Sequence, residues 1–448
     1  MVKRIIRTGI RWILFLLVLI VGLALACITT IDKEPLDSKA YYQKFLNEID
    51  TITIKSSNGN YLKAGWSKKS IVPKEPLSIA SYGRSNPFDG IHDSIWARVF
   101  VFDNGSKKAA IVSVDLLIFP PAVVDLLKTS LPDGYSLENT YLSATHTHNA
   151  PGGWAQHIGG RFMAGAYSQN YVSLISSAIV KAIEEAESSM EEVTIGFEKW
   201  EACDYVHNRL VGDMGELDYW LKAIKLKKAS GKTALLTSFS AHATCLSSKV
   251  NEVSGDYPGE LVRLLEQDER VDFAAFCAGP VGSHSPVEFK EKNFKYISRF
   301  SSGLASMILD DLDSISCKPS NMIAYIHYPV NLNEPHFKID TTFRFRPWVF
   351  DMLFGEYQPA LTGLKIGEQL LIGTPCDFSG ELSLDVEPYA TDRNLNLMIT
   401  SFNGGYIGYI TEDRHYSLHK SETHEMNWFG PNNGRYFKEM IIGLIEKF

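Results

Sequence analysis

The chain has 448 residues, 45% of them hydrophobic and 21% charged, with a formal net charge of −8 at neutral pH. That balance excludes a disordered polymer and supplies apolar material for a large core. It also argues against a nucleic-acid partner, because neutralising phosphates needs a basic surface, and the sequence offers none.

The N-terminus stands apart. Lys3, Arg4, Arg7 and Arg11 precede an uncharged apolar run over residues 12–31, close to the roughly 20 residues that cross a bilayer. Positive charge ahead of the run is expected to hold the N-terminus in the cytoplasm and to place the remainder of the chain on the periplasmic or outer side of the cell membrane. The stretch Leu23-Ala24-Leu25-Ala26-Cys27 also resembles a bacterial lipobox, in which case Cys27 would be a lipid-anchored first residue. The expected organisation is a signal-anchor or lipoprotein signal over 1–31, a tether over 32–50, and one large domain over 51–448. No linker, low-complexity stretch or repeat divides that domain. Cys203, Cys245, Cys277, Cys317 and Cys376 are too widely spaced for a paired-cysteine metal motif. They are expected to be mostly buried small hydrophobes, with one disulfide open to an exported domain.

Strand-length apolar runs begin at 96–102 and 109–114, joined by the turn Asp103-Asn104-Gly105 as a hairpin. Helical spacing marks 171–186, 258–267, 294–309 and 436–446. The fold class is therefore α/β, in the mixed α+β sense. Several apolar strands end in polar or small-residue clusters. Residues 141–144 run into Thr145-His146-Thr147-His148-Asn149-Ala150-Pro151-Gly152-Gly153, and 234–239 into Ser240-Ala241-His242. Residues 271–277 lead to Ser283-His284-Ser285-Pro286, 369–372 to Gly373-Thr374-Pro375-Cys376-Asp377, and 395–402 to Gly404-Gly405-Tyr406-Ile407-Gly408-Tyr409. Ligands bind where strand-end loops converge on a rigid sheet, so five such ends could build one site.

His146 and His148 could ligate a metal and move protons respectively, or make ordinary structural hydrogen bonds. His242, Asp377 and Tyr409 are individually weak signals, but two imidazoles, a carboxylate and a phenol together suit a borderline ion such as zinc.

The block Ser143-Ala144-Thr145-His146-Thr147-His148 followed by Pro151-Gly152-Gly153 resembles the signature of the neutral/alkaline ceramidases. Segments in the same order support the likeness over residues 60–448: Ala64-Gly65-Trp66-Ser67, Gly90-Ile91-His92-Asp93, Asn208-Arg209, Ser254-Gly255-Asp256 and Phe429-Gly430-Pro431. The resemblance implies a hydrolase that cleaves the amide of ceramide to a sphingoid base and a fatty acid with one Zn2+ per chain. It implies His146, His242, Asp377 and Tyr409 as metal ligands, His148 as the proton-transfer residue, Arg209 and Tyr409 as oxyanion contacts, and Ser285 beside the catalytic water. The family's carboxylate ligand is usually glutamate, where Asp377 stands here. An aspartate usually stands where Ser283 does, and the C-terminal sandwich domain of longer members is expected to be missing. Partners would be a lipid substrate and the membrane. Another N-acyl lipid, N-acyl amino acid or ester remains an alternative substrate, as does a non-catalytic membrane-tethered relative. A serine hydrolase built on Ser285 is disfavoured, because the flanking glycines of a nucleophile elbow are absent.

Overall fold

Period-two alternation decides the layers. In the strand Trp96–Asp103, Phe100 and Phe102 belong to one core and Val99 and Val101 to another, because successive side chains leave opposite faces of the sheet. The computed structural model, which describes residues 2–83 and 86–448, assembles such strands into a nine-stranded and a five-stranded mixed sheet. The expected hairpin forms, with Trp96–Asp103 antiparallel to Lys108–Val114. The edge strands Thr140–Ala144 and Phe273–Ala278 add in parallel.

The two sheets face each other. Phe100, Ile111, Tyr141 and Leu236 of the larger sheet pack with Leu364, Leu371 and Met398 of the smaller one. The outer face of the larger sheet is covered by the helices Gln169–Ser188, Asp256–Gln267 and Phe294–Asp310. The outer face of the smaller one is covered by Gly380–Thr391 and Asn433–Ile445. A helix–sheet–sheet–helix sandwich results, and the mixed class expected from the sequence holds. The four helices expected from spacing form within a few residues of their expected bounds.

The stretch expected to be a tether is instead part of the folded body. Residues Ala40–Ile49 form a helix, and Tyr42 and Phe45 are buried against the Tyr436 ring of Asn433–Ile445. The apolar N-terminal helix Val2–Cys27 is solvent-exposed over residues 4–23 and leads without a gap into the short strand Ile28–Thr30, which pairs with Phe343–Phe345. All six cysteines are free; Cys245, Cys277 and Cys376 are buried, whereas Cys203 is exposed.

Candidate metal centre and pocket

Thr140–Ala144 and Thr233–Phe239 end at the same edge of the sandwich, which brings His146 and His242 together with ring centroids 4.6 Å apart. His146 takes a left-handed backbone conformation, φ +63°, that a non-glycine residue adopts at a cost of about 1–3 kcal/mol. Its ring stacks on Phe402 at 3.8 Å, which fixes its plane. Its Nδ1 lies 2.6 Å from the carbonyl oxygen of Leu117, and Nδ1 of His242 lies 2.9 Å from that of Val281. A carbonyl can only accept, so in both rings Nδ1 carries the proton and Nε2 presents its lone pair to the site. Burial pushes the His146 imidazole down to about 3 and His242 well below its ordinary range, so both stay neutral, the form that ligates.

The carboxylate and the phenol arrive from a different direction. Asp377 and Tyr409 open the two strands of a small parallel ladder, Asp377–Phe378 with Tyr409–Ile410. Asp377 Oδ1 lies 3.3 Å from His242 Nε2 and 3.7 Å from His146 Nε2, and the Tyr409 hydroxyl lies 3.2 Å from His242 Nε2. Oδ1 is buried with no hydrogen-bond partner, while Oδ2 accepts from the Tyr406 hydroxyl at 2.6 Å. Burial pushes the Asp377 carboxyl up to about 7, against the opposing pull of Tyr406 and Arg209. A tetrahedral ion with bonds of about 2.0–2.1 Å holds its ligand atoms roughly 3.3 Å apart. The imidazole, carboxylate and phenol separations match that spacing, and an orphaned buried carboxylate oxygen is what a cation would satisfy. The residues fit a metal ion.

His148 lies at the same point, its Nε2 3.1 Å from His146 Nε2 and its Nδ1 2.7 Å from Ser81 Oγ. His146, His148 and His242 therefore form a three-histidine group able to hold an ion. A second group, His419, His424 and Glu425, sits towards the surface.

Arg209 donates through Nη2 to the Tyr409 hydroxyl at 2.9 Å and is ion-paired through Nε with Glu422 at 2.7 Å. Its Nη1 lies 3.4 Å from Ser285 Oγ, the two being brought together by the ladder of Val206–Asn208 with His284–Pro286. Ser285 sits beside Arg209 and is not on the cavity wall. Ser283 is buried and bonded to His284 Nδ1 and Ser379 Oγ, each at 2.8 Å, so a hydroxyl network stands where the resemblance implies an aspartate.

The sequence reading missed Glu422, Tyr406 and Ser81. Tyr406 was legible as part of the strand-end cluster before Tyr409, whereas Glu422 lies in a loop with no periodic signal.

Above this cluster opens a cavity of about 1050 Å³. His146, His148, His242, Arg209, Asp377 and Tyr409 reach its wall, and the remainder is largely apolar, including Leu117, Leu142, Trp154, Phe350, Phe354 and Trp428. A polar cluster on the wall of a largely apolar pocket suits an apolar substrate with one reactive polar group.

An αββα sandwich carrying a three-histidine group in a deep apolar pocket defines the class, and comparison with known proteins places the chain within it. Residues 77–302 match the model of the neutral/alkaline non-lysosomal ceramidase N-terminal region, and the chain belongs to that family. The match includes His146, His148, Arg209, His242 and Ser285; Asp377 and Tyr409 lie beyond it. The chain is 27% identical over 217 residues to the neutral ceramidase of Pseudomonas aeruginosa, covering 44% of this chain and 32% of that protein. It is 28% identical over 248 residues to neutral ceramidase B of Dictyostelium discoideum, covering 49% of this chain and 34% of that one. The aligned stretches thus span about a third of these relatives. The crystal structure of the Pseudomonas aeruginosa neutral ceramidase superposes with a TM-score of 0.72 at 17% identity, covering 87% of this chain and 75% of that one, a likeness of fold.

Proposed function

We propose that the chain is a zinc-dependent hydrolase that cleaves the amide of ceramide to a sphingoid base and a free fatty acid. The observation that carries this reading is the convergence of two Nδ1-anchored imidazoles on the partnerless Oδ1 of Asp377, on the wall of a largely apolar pocket. Family membership supplies the substrate class.

His146, His242, Asp377 and Tyr409 would hold one zinc ion per chain. Bound there, zinc supplies a nucleophilic water at neutral pH and a polarised carbonyl. The chain's own residues supply the rest. His148 is held through Nδ1 by Ser81, which leaves Nε2 to take a proton from the attacking water and return it to the departing nitrogen. Arg209, held by Glu422, offers its guanidinium and the Tyr409 hydroxyl to the developing oxyanion. The apolar wall receives the hydrocarbon chains and excludes water from the polar cluster. Ser285 supports Arg209 from outside the cavity.

A second reading, in which His148 is a metal ligand, is favoured by its 3.1 Å approach to His146 Nε2. The anchor reading places the N-terminus in the cytoplasm and the hydrolase domain on the periplasmic or outer side, with the helix Val2–Cys27 or a lipid on Cys27 holding it to the cell membrane. Residues Arg4–Cys27 are long and apolar enough to cross a bilayer.

The function is tested by measuring fatty-acid release from ceramide, other N-acyl lipids, acyl esters and N-acyl amino acids with the purified, zinc-loaded full chain. Ceramide turnover is the expected result. Action on N-acyl amino acids alone would replace the substrate and leave the amidase.

A further inference from the structure

Beyond the N-terminal helix, twelve large hydrophobic side chains are exposed among the described residues, and half of them fall in two places. Ile158 and Phe162 lie on the short helix Ile158–Ala164, while Ile339, Phe343, Trp348 and Met352 lie on or just before the helix Pro347–Phe354. Phe162 is 77% exposed and Met352 60%. Exposed apolar residues scattered singly need no explanation, but a concentration of them marks a contact surface.

The two helices act as one rim because glycines let them touch. A Cβ on Gly159 would lie 2.8 Å from the Phe354 ring, and one on Gly355 only 2.3 Å from His157 Nε2. The same helices wall the pocket, through Gly160 and Met163 on one and Phe350 and Phe354 on the other.

The N-terminal helix is splinted to this rim with no slack. Its last turn accepts two bonds from it: the Trp348 indole N–H donates to the Ala26 carbonyl at 3.1 Å, and the Arg346 amide to that of Cys27 at 2.7 Å. The next residues, Ile28–Thr30, are in antiparallel register with Phe343–Phe345. Whether the attachment is the helix or a lipid on Cys27, the ladder starts one residue later, so a membrane surface at the end of either anchor would lie at the rim. Trp348, with an apolar body and one polar bond, is the residue type that collects at such an interface.

We propose that the helices Ile158–Ala164 and Pro347–Phe354 dock on the outer leaflet of the bilayer that holds the anchor, so that the pocket opens into the leaflet and a lipid substrate enters sideways. Substrate entry rests on the lipid-hydrolase reading above, whereas the docking does not. Continuity with the anchor selects the bilayer as occupant in preference to a protein partner.

The full chain, reconstituted in nanodiscs of phosphatidylethanolamine and phosphatidylglycerol with a diazirine-bearing phosphatidylcholine, is irradiated and its labelled peptides are mapped. Lipid should mark residues 158–164 and 347–354 besides the anchor, and spare the turn at 229–232, which lies at the opposite ends of the strands. Labelling confined to residues 1–31 would overturn the proposal. The double variant Phe162→Gln, Met352→Gln alters side chains outside the cavity wall, and should lower kcat/KM for bilayer-embedded ceramide about ten-fold. Hydrolysis of a water-soluble short-chain ceramide should be unchanged, and equal loss on both substrates would refute sideways entry. A chain that is labelled at the rim but turns over no ceramide of either kind would uphold docking and sink the substrate reading.

Discussion

Asp377 and Tyr409 are register partners in a parallel ladder of two strands, so the carboxylate and the phenol of the site are placed by one hydrogen-bonded unit. The carboxylate cannot move without its partner strand, and Asp377 is fully buried. Asp377→Ala should therefore lose zinc, while Asp377→Glu keeps the ligand charge and should retain zinc with reduced turnover. Elemental analysis decides it: equal zinc loss in both variants would make Asp377 a structural residue.

The two histidines of the signature should fail differently. His146→Ala removes an imidazole with a backbone-fixed Nδ1 and should abolish zinc binding. His148→Ala should keep zinc and lower turnover by roughly 10²- to 10⁴-fold, the usual cost of losing a general acid/base. If zinc departs with His148 as well, the three-histidine ligand reading replaces the proton-transfer one.

Glu422 reaches the cavity wall and is ion-paired with Arg209. Glu422→Gln removes the charge opposite the guanidinium and should lower kcat/KM by about 10- to 100-fold through the lost ion pair. Zinc content should not change. Glu422→Asp should recover part of the loss; a change in zinc occupancy would show that Glu422 supports the metal centre.

Because the helix Ala40–Ile49 is packed and not a tether, Phe45 belongs to the core of the smaller sheet. Phe45→Ala should cost about 3–5 kcal/mol and be visible as a lowered thermal midpoint of the full chain. A midpoint equal to that of the unsubstituted protein would mean the helix is dispensable. Leu46, exposed on the same helix, should tolerate alanine.

Topology is read with reporters. A C-terminal fusion should be active in the periplasm and silent in the cytoplasm, since Arg4, Arg7 and Arg11 flank only one end of the apolar helix. The opposite pattern would overturn the assigned location. Cys27→Ser should abolish lipid labelling if Cys27 is the anchor point; a chain that takes up no lipid label before substitution is held by the helix.

The sequence alone determined what local periodicity and composition can carry. Apolar runs of strand length located the strands that end at His146 and His242, helical spacing located four of the five helices that cover the two sheets, and the charge-flanked apolar run marked the N-terminal segment. The histidine signature located the site because both its residues lie in one short segment. What only the tertiary structure decided was everything that depends on which surfaces meet. The Asp377–Tyr409 pairing, the Glu422 clamp on Arg209, and the burial of Phe45 against Tyr436 join residues far apart in the chain. The union of two short helices with the end of the anchor is of the same kind. Such contacts are selected by the packing of whole sheets and by register, and a single strand or loop carries no record of its partner.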